Sequence, residues 1–247
     1  MSKTKISWTE ETWSPVSGCS KVSPGCANCY AERLSTRFGR TTKPWTPENA
    51  AENVVLHPER LDQPLHWQRP RRIFVCPMAD LFHELVPGEF LNQVWMSLYN
   101  TPRHSYQLLT KRPERLLQWT QRKAAASGWP VDEIWPRWAW LGTSIENDHF
   151  SYRADILRDT PAATRWISAE PLLGPLPSLD LTNIDWLVIG GESGPKARPM
   201  DPGWVDDLVE RADREATAVF VKQASGLRPG QQGNLPDELW RRKEYPR

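Results

Sequence analysis

Long apolar runs are missing from this sequence of 247 residues. No stretch approaches the length a bilayer span needs, and residues 1–10 are polar and charged, without the apolar core of a secretion signal. A cytoplasmic protein with no membrane partner is expected. An excess of charge is missing too. Lys and Arg number 31 against 30 Asp and Glu, so global charge gives no ground for a nucleic-acid or membrane partner. Nucleic-acid binding would need a local Arg-rich groove, around residues 69–72, residues 112–115 or Arg198. No low-complexity segment or short-period repeat is present. Cysteine is scarce, four in all, yet three of the four fall between positions 19 and 29. In a reducing cytosol that clustering points to metal or catalysis rather than to disulfides. Tryptophan is the exception to scarcity: the chain has 14, most of them expected in the core or between helix and sheet.

Short apolar, β-branched or aromatic runs recur along the chain at 72–76, 105–109, 138–142, 165–168, 185–189 and 218–221. Amphipathic stretches at 89–100, 113–126, 151–158 and 203–215 alternate with them. Residues 41–71 are harder to classify, with a helix expected at 48–57. Alternation of this kind indicates βα units, a parallel sheet, and either a doubly wound sheet or a barrel. After the runs come Asp80, Lys111, Glu146, Glu170, Glu192 and Lys222. Polar residues at the same end of successive strands favour a barrel with one shared mouth. The expected organisation is a single α/β domain over residues 1–225, then a polar tail over 226–247, rich in Gly and Pro and loosely ordered.

Cys19, Cys26 and Cys29 are spaced C-x6-C-x2-C within the loop 18–30. Thiolates are soft ligands that suit zinc and iron–sulfur clusters. A structural zinc site closes four protein ligands around the ion, whereas three cysteines leave a position open. In a 4Fe–4S cluster that open position is one iron free to bind something else. Cys76, at a strand end, is an available fourth ligand, and His57, His66 and His83 are conceivable ones. The helical look of residues 30–34 puts Cys29 at a helix N-terminus, which favours its thiolate. Unliganded buried cysteines are the plain alternative.

Several short motifs add a family resemblance. They are Ile6-Ser7-Trp8-Thr9-Glu10, Cys29-Tyr30-Ala31-Glu32, Met78-Ala79-Asp80-Leu81-Phe82-His83 and Leu109-Thr110-Lys111-Arg112-Pro113-Glu114. Leu141-Gly142-Thr143-Ser144-Ile145-Glu146-Asn147, Ser168-Ala169-Glu170-Pro171 and Val188-Ile189-Gly190-Gly191-Glu192-Ser193-Gly194 complete the set. Together they resemble the bacterial and phage three-Cys-motif proteins, relatives of the radical S-adenosylmethionine (radical SAM) enzymes. Spore photoproduct lyase is a more distant likeness, since its motif also ends Cys-Tyr.

The resemblance implies a partial TIM-type (βα)6 parallel barrel of the radical SAM kind. It implies a 4Fe–4S cluster on Cys19, Cys26 and Cys29 after the first strand, S-adenosylmethionine on the free iron, and an external electron donor. SAM would be cleaved to methionine and a 5′-deoxyadenosyl radical acting on a substrate left open, with a nucleotide or nucleic acid among the candidates. Two departures stand out. The first cysteine gap is six residues where the superfamily usually has three, and Asn28 replaces the usual aromatic before the last cysteine. The Gly190-Gly191-Glu192 string also follows a much later strand than the superfamily's own GGE motif.

On this resemblance Asp80 would accept from the SAM ammonium, and Lys111 or Arg112 would pair with its carboxylate. Ser144 and Glu146 would hold the ribose, and Gly190 and Gly191 would let backbone approach the ligand. Glu170, Glu192 and Lys222, with Arg198, would face the substrate as catalytic groups. Each residue also has a structural alternative, as a helix cap or a salt bridge at the barrel mouth. Two other functions compete. One is a zinc-dependent α/β-barrel hydrolase or nuclease using Glu146, Glu170 and Glu192; the other is a zinc-stabilised binding module.

Overall fold

The alternation of apolar strand and amphipathic helix does build a parallel sheet. The computed structural model describes residues 4–246. Its strands are β1 (Glu11–Trp13), β2 (Val16–Ser17), β3 (Val55–Leu56), β4 (Arg72–Val75), β5 (Ser105–Thr110), β6 (Ala139–Ser144), β7 (Thr164–Ala169), β8 (Trp186–Gly190) and β9 (Ala218–Gln223). Its helices are α1 (Tyr30–Arg37), α2 (Ala50–Asn53), α3 (Gln63–His66), α4 (Gly88–Tyr99), α5 (Pro113–Ser127), α6 (Tyr152–Arg158), α7 (Pro202–Arg214) and α8 (Asp237–Trp240). Seven strands in the order β1-β4-β5-β6-β7-β8-β9 form one all-parallel sheet, curled into a half-barrel, so the chain is a single α/β domain of partial TIM-like form. The six runs expected from the sequence are β4 to β9. β1 is the seventh strand, and the cysteine loop follows it by way of β2. Among the described residues no helix is long and apolar enough to cross a membrane.

Side chains of each strand alternate between two cores. Ile73, Val75, Tyr106, Leu108, Leu141, Ile167, Leu187, Ile189, Val219 and Val221 face outward into the larger core, shared with the helices. Phe74, Trp166, Trp186, Val188 and Phe220 face inward and close around Trp8. Trp8 meets Phe74, Trp166 and Trp186 edge-on, with ring centroids 4.7, 5.4 and 5.8 Å away. Edge-to-face packing is the favoured geometry for such rings. Gly142, beside Trp166 in the register, makes room for it: a Cβ there would lie 2.4 Å from the indole.

Two expectations are corrected. The helix expected at 48–57 stops at Asn53, because Val55 and Leu56 pair antiparallel with Ser17 and Val16. The tail, expected to be loosely ordered, closes the base of the half-barrel. Leu235 and Leu239 are buried, and the bridge between Phe220 and Lys243 lays residues 242–244 along β9, whose other edge pairs with β8. Tyr245 stacks on Trp186 and lies under the Arg72 guanidinium, linking the two sides of the sheet. Apolar side chains spaced among polar ones outweigh the Gly and Pro content, because β9 would otherwise present an unpaired edge.

Gly142→Ala should destabilise the fold by about 1–3 kcal/mol through overpacking against Trp166. Gly88→Ala, at a position open to solvent, should leave stability unchanged. Equal urea midpoints for the two variants would show that the interior layer yields.

Candidate functional site

The cysteine loop leaves β2 through Gly18, whose φ of 78° and close approach to the Asn53 carbonyl admit no side chain; a Cβ there would lie 1.7 Å from that oxygen. Gly18 also bridges to Ala79, which draws the loop over the C-terminal ends of the strands. There a cavity of about 210 Å³ opens, lined by Cys19, Cys26, Cys29 and Cys76. All four cysteines are free. The cavity walls also include Asp80, Lys111, Ser144, Ser168, Glu170, Gly191, Glu192 and Lys222, with Trp8 and Phe74 at the inner end. Glu146 and Gly190, both expected near a ligand, are not among the lining residues. Glu146 lies beneath Gly25, and Gly190 backs onto the Glu170 carboxylate.

Three carboxylates hold the loop. Asp80, after β4, accepts hydrogen bonds from Thr110 Oγ1 (2.7 Å), Phe82 N (3.0 Å), Lys111 N (3.1 Å) and Arg112 Nη1 (3.1 Å). Its oxygens are thus occupied by protein donors, and the product is a fixed Arg112. That guanidinium also bonds Glu84 at 2.8 Å, reaches Ser20 Oγ at 3.1 Å and donates to Cys19 Sγ at 3.7 Å. Glu146, after β6, has a fully buried side chain, takes Lys111 Nζ at 3.0 Å and Arg153 Nη1 at 3.2 Å, and accepts from Gly25 N at 3.3 Å. Glu192, after β8, is chelated by Arg198 Nε and Nη2 at 3.0 and 2.6 Å. Its Oε2 accepts from Asn28 at 2.9 Å, and Arg198 reaches on to the Pro24 carbonyl at 3.0 Å. The long first cysteine gap is therefore tied down at Ser20, Pro24 and Gly25, and Asn28 anchors the short gap.

Glu170 and Lys222 pair with each other at 2.5 Å across the cavity wall. Each of Glu146, Glu170 and Glu192 is neutralised by its own cation, so the three do not form a shared carboxylate site. Among the described residues no three His, Cys, Asp or Glu side chains approach closely enough to bind a single metal ion. None of the histidines considered as ligands lines the cavity. His83 accepts from Leu85 N at Nδ1, so its Nε2–H donates to Ser20 Oγ at 2.8 Å; His57 bonds Ser17, and His66 bonds Asp62 at the surface. Cys76 is 2% exposed at the cavity's inner wall, with φ of 56°, a conformation unusual for a side-chain-bearing residue.

Burial dominates at Cys19, Cys29 and Cys76. It pushes Cys19 up to about 12, aided by Asp80 and opposed by Arg112, and it pushes Cys76 up to about 12. Cys29 does stand at the N-terminus of α1, as expected from the sequence, without a capping side-chain hydrogen bond, and burial outweighs the backbone of Glu32 and Ala31, so its pKa is raised. A bound cation would reverse that balance, since it displaces the protons. The Glu146 carboxyl lies below its usual value: burial pulls upward, but Lys111, Ser23 and Arg153 overcome it. Glu192 is lowered likewise, burial being outweighed by Arg198 and Asn28.

Trp8, Ser168 and Asn28 belong to the site but carried no role in the sequence reading. Alternation along β7 places Ser168 on the same inward face as Trp166, a signal available in the sequence.

A family model described as "Protein of unknown function (DUF5131)" matches residues 3–241. The chain belongs to this family. No curated protein and no solved structure matches it.

Glu146→Gln should lower stability by about 3–5 kcal/mol in urea unfolding at neutral pH, because Lys111 and Arg153 are left facing a neutral group. A carboxyl held below its unfolded value stabilises fully above about pH 4.3 and loses that contribution as the pH falls through the depressed value. The acid-side loss of stability should therefore be shallower in Glu146→Gln. An unchanged urea midpoint would remove Glu146 from the anchoring role.

Proposed function

We propose that this chain is a radical SAM-type enzyme that holds a 4Fe–4S cluster on Cys19, Cys26 and Cys29. The observation that carries the proposal is the meeting of all three thiols on one cavity at the C-terminal mouth of a parallel half-barrel, the face on which such folds carry their chemistry. The donor set fits the group. The thiols are free, and the Arg112 N–H aimed at Cys19 Sγ suits a sulfur that carries negative charge. Three thiolates on one cavity suit a cluster in which each binds a different iron.

When bound, the cluster would pass an electron from an external donor to SAM, whose cleavage would release methionine and a 5′-deoxyadenosyl radical able to take hydrogen from a substrate. The protein's part is positional. Asp80 orients Arg112 rather than receiving the SAM ammonium, and Lys111 is engaged by Glu146. Glu170 is the carboxylate left at the cavity wall for an ammonium group, with Lys222 as its exchangeable partner. The hydroxyls of Ser144 and Ser168, neighbours in the register and without a hydrogen-bond partner among the described residues, are the groups available to a ribose diol. Glu192 serves as an anchor of the loop. The remaining polar walls and the Trp8 end are left to the substrate.

Protein purified without oxygen should be brown, with about four irons and four sulfides per chain. Dithionite and SAM should then yield 5′-deoxyadenosine. Colourless protein with stoichiometric zinc would overturn the proposal in favour of a zinc hydrolase, nuclease or binding module. Replacing Cys19, Cys26 or Cys29 by Ala should each abolish the iron absorbance, and Cys76→Ala should retain it.

A further inference from the structure

Most of the arginines that the sequence offered for a nucleic-acid groove are engaged elsewhere, while Arg69 is exposed and makes no ion pair among the described residues. Arg71 pairs with Glu11, Arg72 lies over Tyr245, Arg112 is buried among Asp80, Glu84 and Ser20, and Arg198 is bound to Glu192. Unpaired cations gather in a different place, on the outer face of the helix that leaves the cysteine loop.

Arg33, Arg37 and Arg40 are exposed and follow one another at helical spacing along α1 and just past its end. None has a carboxylate partner among the described residues. Phe38 stands between the last two with 63% of its surface exposed, and the guanidinium carbons of Arg37 and Arg40 lie 5.9 and 5.8 Å from its ring centroid. At the other end of the row, Arg33 covers Gly194, where a Cβ would lie 2.0 Å from its Nη1. Gly194 N donates to the Gly226 carbonyl, and Ser193, beside it, lines the cavity. Lys196 and Arg228, each two residues from this contact, are exposed and make no ion pair among the described residues. A row of unpaired cations thus runs from an exposed aromatic platform to the mouth of the cavity, on a protein whose net charge is only +1.

We propose that this row binds single-stranded nucleic acid and leads it to the cavity. A positive track beside an aromatic on which a base can stack is the combination that holds single strands without sequence preference. Arginine forks suit phosphate oxygens. A single strand is favoured over a duplex because the cavity is recessed in the mouth of the half-barrel, which a stacked base cannot enter. The inference rests on the proposed cavity chemistry only in making the strand a substrate; binding itself needs no cluster.

The test is fluorescence anisotropy of a labelled thymidine oligonucleotide of about 20 residues, titrated with the full chain from about 50 mM salt upward. Wild type should bind, with affinity falling steeply as salt rises. Arg33→Ala, Arg37→Ala and Arg40→Ala combined should weaken binding at least tenfold and reduce the salt slope by about 2, near 0.7 per lost phosphate contact. Arg37→Ala with Arg40→Ala, both clear of the Gly194 contact, should show the same trend if the triple variant folds poorly by circular dichroism. Phe38→Ala should weaken binding by about tenfold through lost stacking. Arg122→Ala, on an exposed face of α5, should bind as wild type. No oligonucleotide binding at low salt, or equal binding by every variant, would overturn the proposal. So would binding to phosphatidylserine vesicles in place of the oligonucleotide, or equal affinity for a blunt duplex. Iron content and 5′-deoxyadenosine formation are measured separately, so failure of the cluster reading and failure of this one are distinguishable.

Discussion

A loop bearing three thiols has little apolar surface with which to hold itself in place, and the arrangement of this cavity depends on how that loop is fastened. The fastening is electrostatic. Carboxylates from the ends of β4, β6 and β8 reach it: Asp80 through Arg112, Glu146 directly at Gly25, and Glu192 through Asn28 and Arg198. Because every one is buried or nearly so, each carboxylate is satisfied by several donors, as burial of charge requires. The loop is consequently held from separate sides of the barrel mouth.

That fastening depends in turn on the layering of the barrel interior. Large rings fill its lower part: Trp8, Phe74, Trp166, Trp186 and Phe220 pack together, and Gly142 leaves room for one of them. Higher on the same inward faces the residues are Ser144, Ser168 and Gly190, too small to fill the space. The cavity exists because residue size drops from aromatic to small along the strands. Its polar lining exists because each strand then passes into a loop that carries charge.

The fold was largely legible in the sequence. Short apolar runs and the helical stretches between them are local patterns, and β4 to β9 lie where those patterns put them. β1 was harder to see, since Glu11-Thr12-Trp13 has one apolar side chain facing the core and gains its identity from pairing with β4. The 48–57 segment failed for a related reason, because the strand character of Val55 and Leu56 comes from β2. The tail was misjudged on composition, whereas its order comes from the few apolar residues that reach the barrel base.

By itself the sequence determined the βα alternation, the end of the sheet on which charge collects, and the clustering of Cys19, Cys26 and Cys29. Each of these is written in neighbouring residues or in the regular recurrence of a unit. Only the tertiary structure decided what the charged residues do. Glu146 meets Gly25 across 121 positions and Glu192 meets Asn28 across 164, and no local pattern encodes such pairs. Residues that looked alike at successive strand ends are therefore divided between two tasks. Asp80, Glu146 and Glu192 hold the cysteine loop, while Glu170 and Lys222 remain facing the cavity. The division follows from burial, since a carboxylate beneath the loop must take several protein donors, while Glu170 at the cavity wall has Lys222 alone as its ion-pair partner among the described residues.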